Sequence, residues 1–149
     1  MNQYDDHEQL KHLLTIEKLK PQTLLDLLDL AQQLLDNPIT PSFAQEIPRT
    51  LANLFFEPST RTRSAFECAA TQLGWHTLNF PVDAAATQKG ESLEDTLLTL
   101  GQMTKKAMAI RHTSNHVPAN DANLLVHEAA IINDVCGTHV NSNQYLAII

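Results

Sequence analysis

"RTLANLFFEPSTRTRSAFECAATQLG", residues 49–74, changes its periodicity midway, and that change fixes the architecture. Residues 49–57, "RTLANLFFE", form a short apolar run of the length and bulk of a buried strand. Pro58 interrupts it. From Thr60 the spacing turns helical: Phe66, Ala69, Ala70 and Leu73 share one face, and Gly74 supplies a stop. Between strand and helix stand Ser59, Thr60, Arg61, Thr62 and Arg63, hydroxyls and guanidiniums gathered at the junction. At a helix start the first N–H groups lack intrahelical partners, and the macrodipole leaves partial positive charge there. A phosphate can accept from those N–H groups, from the hydroxyls, and from Arg61 as a fork. An ordinary Ser/Thr cap followed by solvated arginines satisfies the same residues.

The flanking sequence repeats the strand–helix alternation. Upstream, "PQTLLDLLDLAQQLL" (21–35) predicts a helix, with Pro21 in its first turn and Leu24, Leu25, Leu28, Ala31, Leu34 and Leu35 in the helical period. "DNPITP" breaks it. Downstream, "WHTLNF" (75–80) predicts a second strand, followed by a polar, small-residue loop, "PVDAAATQKGES". Ser92 is placed to cap a further helix carrying Leu93, Leu97, Leu100 and Met103. "KAMAIRH" (106–112) and "AAIIN" (129–133) predict a third and a fourth strand. The expected fold class is therefore α/β, a parallel sheet with helices on both faces, in one domain over residues 1–149. In such sheets ligands bind beyond the carboxyl ends of the strands. Ser59–Thr62, Lys89, Arg111 and Thr138–Gln144 each follow one of the four strands.

Composition narrows the ligand. Seventeen acidic residues against ten basic give a formal charge of −7, the opposite of a nucleic-acid binder. Against that background Arg61, Arg63 and Arg111 fit a small anion held locally. No apolar run approaches the ~20 residues of a spanning helix, and the acidic, polar start "MNQYDDHEQLKHLL" reads as no signal peptide. No membrane partner is expected. Cys68 and Cys136 are expected as reduced thiols, without disulfide or zinc spacing. Cys68 lies near the apolar face of the helix after Ser59 and is expected to pack there. His112 and His116 have helical spacing for two metal ligands but lack a third, so no metal is expected. "YDDHE" (4–8) reads as a solvated acidic end.

"FFEPSTRTRSAFE" (55–67) resembles the carbamoyl-phosphate signature of the aspartate and ornithine carbamoyltransferases. "QKGESLEDT" (88–96) resembles the mobile loop of the aspartate enzymes, and "AIRH" (109–112) their third-strand end. The three stand in the family's order and spacing. The resemblance runs from about residue 10 to the C-terminus and covers the amino-terminal half of a family chain. Lys89 before Gly-Glu-Ser favours the aspartate branch.

The resemblance implies the amino-terminal, carbamoyl-phosphate-binding domain of the family, without cofactor and in the cytoplasm. Its reaction would be carbamoyl transfer to L-aspartate, giving N-carbamoyl-L-aspartate and phosphate in pyrimidine synthesis. Carried over, Ser59, Thr60, Arg61 and Thr62 would bind the phosphate of carbamoyl phosphate. Thr62 and Arg111 would serve catalysis, Thr62 reaching the carbonyl oxygen and Arg111 bridging phosphate and carbonyl. Lys89 would enter a neighbouring subunit's site, and Gln144 would contact the carbamoyl amide. The partners implied are a homotrimer or the family's catalytic and regulatory subunits.

The departures lie in the later motifs. Where the family has Gly-Asp-Gly and then His-Pro-x-Gln, this chain has "VCGTHVNSNQ", with Asn141 at the histidine position and Ser142 at the proline position. Cys136 takes a family aspartate's place in a tight turn. Ala85 takes the place of the mobile-loop serine, and Thr113 that of a proline. The aspartate-binding domain of the family is absent from these 149 residues. Two readings follow: a truncated or diverged transferase subunit, inactive alone, or a non-catalytic relative retained for anion binding or assembly.

Overall fold

The computed structural model describes residues 3–38, 49–81, 93–104, 107–112 and 129–136. A 3-10 turn (Ile16–Lys18) leads into α1 (Pro21–Asp36). There follow β1 (Thr50–Phe55), α2 (Thr60–Gln72), β2 (His76–Pro81), α3 (Leu93–Thr104), β3 (Ala107–His112) and β4 (Ala130–Cys136). The strands form one sheet in the order β2-β1-β3-β4, with every pairing parallel. The chain steps from β1 outward to β2, then returns across β1 to place β3 on its other side. That reversal opens a crevice at the carboxyl ends of β1 and β3, the place where such sheets hold ligands.

The alternation of β1 distributes its side chains to two cores. Ala52 and Leu54 face α3 and join Leu97, Leu100, Met108, Ile110 and Ile131 in one buried cluster. Leu51 faces α2 and packs with Ala70, Ala107 and Ala109, bordered by Phe55, Phe66 and Trp75. Helices thus cover both faces, as the alternating pattern predicts. Central strands buried on both sides must read as continuous apolar runs, which is why β1 and β3 stand out in the sequence.

Helix α2 ends where the glycine requires it. Leu73 N–H donates to Ala69 O (3.0 Å), and Gly74, at φ 70°, turns the chain so that Trp75 N–H reaches Ala70 O at 2.8 Å. A positive φ of this kind favours a residue without a Cβ. The inward face of α2 is Thr62, Phe66 and Ala70, whereas Ala69 and Leu73 are exposed. Cys68 is also exposed, so its expected packing role is corrected: it lies two positions before Ala70 and therefore off the buried face. In α3, Leu97 and Leu100 are buried as expected, but Met103 is 66% exposed. Ser92, its expected cap, lies outside the described residues. No residue of α1 is buried, and Leu25, Leu28, Leu34 and Leu35 are exposed. Among the described residues no helix is long and apolar enough to cross a membrane.

Two further expectations change. The fourth strand runs to Cys136, beyond the predicted 129–133, so the backbone of Cys136 ends a strand rather than occupying a tight turn. The acidic end is folded, not merely solvated. The Asp5 carboxylate accepts from His7 N–H (2.9 Å) and Gln9 N–H (2.8 Å), and Glu8 pairs with Lys20 at 2.8 Å. Tyr4 Oη accepts from Lys20 N–H at 2.6 Å, directly before α1.

This segment also covers the outer edge of β4. Leu13 N–H donates to Ile131 O (2.8 Å), and Asn133 N–H donates to Leu13 O at 2.9 Å. His12 Nδ1 accepts from Ile131 N–H at 3.1 Å. Buried Gln3 accepts at its side-chain oxygen from Leu14 and Thr15 N–H, while its amide donates to Thr15 O at 3.0 Å. An exposed strand edge is a template for unwanted pairing, and here the chain's own start occupies it.

Candidate functional site

The crevice between β1 and β3 is built by two short lengths of backbone. Phe56 N–H donates to Arg111 O at 2.9 Å, tying the end of β1 to the end of β3. Three residues later Ser59 stands at the N-cap of α2, its carbonyl accepting from Arg63 N–H at 3.1 Å. Ser59 occupies the N-cap position, yet its side chain makes no capping bond. Instead Ser59 Oγ accepts from Arg111 Nη1 at 3.0 Å. The hydroxyl is thus directed toward the strand ends, and the first-turn N–H groups of α2 receive no bond from it.

Arg111 lies at the centre, its side chain only 15% exposed. Its Nε donates to Glu57 Oε2 at 3.4 Å, and Nη1 donates also to Asp134 Oδ2 at 3.2 Å. Asp134 reaches it because of an irregularity in β4. Ile110 pairs with Asn133 but Arg111 pairs with Val135, leaving Asp134 as the extra residue of a β-bulge. Bulges re-aim a side chain without ending the sheet. The Asp134 side chain is completely buried. Burial raises its carboxyl above the ordinary aspartate value, and the adjacent guanidinium opposes that shift in part.

The remaining residues of the signature fall on the first turn of α2. Thr62 is buried, while Thr60 and Arg61 are exposed. Arg63 is turned outward and lies 3.6 Å from Glu67 one turn on. His112 is half-buried, its ring edge-on to Phe56 at 4.8 Å. Ser59 and Arg111 are therefore in contact, with Thr60, Arg61 and Thr62 beside them on consecutive positions. Lys89, Gln144, Ala85, Asn141, Ser142, Thr113 and His116 lie outside the described residues.

Sequence reading missed both carboxylates. Glu57 stands inside the signature stretch among cations and hydroxyls, and its position there does not signal a bond to Arg111. Asp134 carried a signal of its own: a charged residue directly after "AAIIN", where an apolar strand would be expected to end. Nothing in the periodicity announces a bulge, so its direction was not legible.

Comparison with known proteins gives this geometry its family. Residues 11–147 match the model of the aspartate/ornithine carbamoyltransferase, carbamoyl-P binding domain. The aspartate carbamoyltransferase catalytic subunit of Renibacterium salmoninarum is 38% identical over 141 residues, covering 92% of this chain and 40% of that protein. The chain thus spans well under half the length of this curated relative. Aspartate transcarbamoylase from Trypanosoma cruzi, solved in complex with carbamoyl phosphate, superposes with a TM-score of 0.74 at 31% identity, over 91% of this chain and 42% of that one. Ornithine carbamoyltransferase from Thermus thermophilus gives a TM-score of 0.78 at 25% identity, over 93% and 46% respectively. A parallel sheet of this order, a signature helix at its switch point and matches of this extent lead to one conclusion: the chain belongs to the aspartate/ornithine carbamoyltransferase family, within its carbamoyl-phosphate-binding domain.

Proposed function

We propose that this chain binds carbamoyl phosphate or phosphate at the β1–β3 crevice, as part of an aspartate carbamoyltransferase-like protein. The observation that carries the proposal is the 3.0 Å contact between Arg111 Nη1 and Ser59 Oγ, which joins a half-buried guanidinium to the start of α2. A phosphate there would meet Ser59, Thr60, Arg61 and the first-turn N–H groups, with Arg111 opposite. Thr62 and Arg111 would polarise the carbamoyl carbonyl. The amine of L-aspartate would attack that carbon, the bond to the phosphate oxygen would break, and phosphate would leave with the electron pair as the amine lost a proton. Such chemistry calls for positioning and charge stabilisation more than for a nucleophilic side chain. Lys89 and Gln144 would complete the substrate contacts, Lys89 from a neighbouring subunit of a cyclic trimer. A cytoplasmic place in pyrimidine synthesis follows if the family reaction is retained.

A second reading is favoured by the two carboxylates on Arg111. A guanidinium already paired by Glu57 and Asp134 fits a relative that binds anions weakly and has given up catalysis. Both readings need the anion site, so one experiment tests their common part. Calorimetric titration with phosphate should show binding that Arg61→Ala weakens about ten- to a hundredfold, the equivalent of a charge-assisted hydrogen bond. Equal affinity in the two proteins would remove Arg61 from the site. Sedimentation of the same samples checks the trimer, which a purely monomeric profile would contradict.

A further inference from the structure

The cluster at the head of the crevice is one guanidinium and two carboxylates, Arg111 with Glu57 and Asp134. When both acids are ionised it carries a net charge of −1. An anion approaching Ser59 and Arg111 therefore meets repulsion from the residues that hold the guanidinium in place. Glu57 is about one-third exposed, and solvent screens it. Asp134 is wholly buried, so its charge acts on the crevice with far less screening. It also uses the same nitrogen, Nη1, that meets Ser59.

We propose that Asp134 makes anion binding at this site proton-linked: a dianion seats on Arg111 and Ser59 as the Asp134 carboxylate takes up one proton from solvent. The inference rests on the reading of the crevice as an anion site. Uptake of the proton removes the buried negative charge, frees Nη1 to serve the incoming oxygen, and turns Asp134 into a hydrogen-bond donor. The protein is prepared for this step, because burial already lifts the Asp134 carboxyl above its ordinary value despite Arg111. The charged groups facing Asp134 include Arg111 from β3 and, through that guanidinium, Glu57 from the β1–α2 junction. His12 bonds to β4 three residues earlier, at Ile131. Arg61 and Arg63 sit on the exposed first turn of α2.

Asp134 is then a specificity-determining residue. It disfavours dianions at alkaline pH and admits them as the solution is acidified. Where the empty site holds Asp134 ionised and the filled site holds it protonated, affinity rises up to about tenfold for each pH unit of acidification.

Sulfate is the suitable probe, since it remains a dianion between about pH 5.5 and 8. Calorimetry in two buffers of different ionisation heat should find nearly one proton taken up per sulfate bound by the wild-type chain. Asp134→Asn should abolish the uptake, flatten the pH dependence, and bind sulfate at least about tenfold more tightly at pH 8. The carboxyl carbon resonance of Asp134 in the wild-type chain gives a second measurement independent of how the variant folds. Saturating sulfate should move its titration midpoint upward. Wild-type binding without proton uptake, uptake that persists in Asp134→Asn, or a midpoint unmoved by sulfate would overturn the proposal while leaving the anion site standing. Absence of sulfate binding in both chains at every pH would overturn the anion-site reading, and this inference with it.

Discussion

Asn53 shows how a single polar residue is accommodated in a central strand, and at what cost. It lies in β1 with 1% of its surface exposed, on the face toward α2. Its side-chain amide donates to Asn79 Oδ1 at 3.0 Å on the neighbouring strand, in register. Asn53 Oδ1 is buried and finds no donor among the described residues. Exchanging its nitrogen and oxygen would only move the shortage to the other atom. An unsatisfied buried acceptor costs about 1–3 kcal/mol, and Asn79, being exposed, can turn to water when its partner is removed. Asn53→Val should therefore leave stability unchanged or raise it by about 1 kcal/mol, since a β-branched side chain suits the strand. Denaturant unfolding checks this, and a loss exceeding about 2 kcal/mol would mean that the asparagine is needed for more than its bond to Asn79. Asp134 makes a contrasting case. Its buried carboxylate has Arg111, and the pair stands at the ligand crevice rather than inside the core.

The N-terminal segment and β4 form a unit whose integrity depends on pH. His12 is buried, and its Nδ1 accepts from Ile131 N–H, which requires the neutral ring with its proton on Nε2. Burial chiefly, and the charge of Lys11 in addition, lower the pKa of His12 below its ordinary 6.5. The unfolded chain then takes up a proton before the folded one. Stability from this contact is complete above pH 6.5 and is lost as the pH falls from there toward the folded value. Asp134 has the opposite sign: its pKa is raised above 3.8, so the folded chain protonates first, and its destabilisation at neutral pH is relieved on acidification through that raised value. His12→Gln keeps an acceptor for Ile131 N–H and removes the titration. It should hold stability near wild type at pH 7, within about 1 kcal/mol, and lose less between pH 7 and 5. An equal loss in both proteins would place the acid sensitivity elsewhere. None of this segment was legible in the sequence, because polar residues such as Gln3 and His12 give no periodic signal when they pair an edge. The strands and helices of the sheet were legible for the reverse reason. Runs such as "LANLF" and "AMAI" have the continuous apolar character that burial on two faces demands. Helix α1 was legible as a helix but not in its surroundings. Its leucine pattern predicts a buried face, and the described residues bury none of it.

Catalysis requires more of the protein than the fold of these residues. The crevice brings Ser59 and Arg111 into contact at a switch point, which fits the proposed anion site, but the described residues present no second group of cations placed to hold aspartate. The chain covers 40% of its Renibacterium relative, and we propose that aspartate is held by a part of the family protein that these residues do not match. Holding two reactants in register is worth about 7–11 kcal/mol of barrier in favourable cases. Asn141, proposed at the family's histidine position, would be the smaller defect, about 3–4 kcal/mol if it is equivalent to one lost oxyanion donor. Because the first quantity exceeds the second, the order of rescue is fixed. The purified 149-residue chain should form no measurable carbamoyl-aspartate, and Asn141→His alone should not change that. Supplying the part of a family subunit that these residues do not match should give some turnover, and more when combined with Asn141→His. Radiolabelled carbamoyl phosphate gives a sensitive assay for each combination. Turnover by the isolated chain that Arg111→Ala abolishes would reverse the ordering, because it would show that aspartate is oriented within these residues after all.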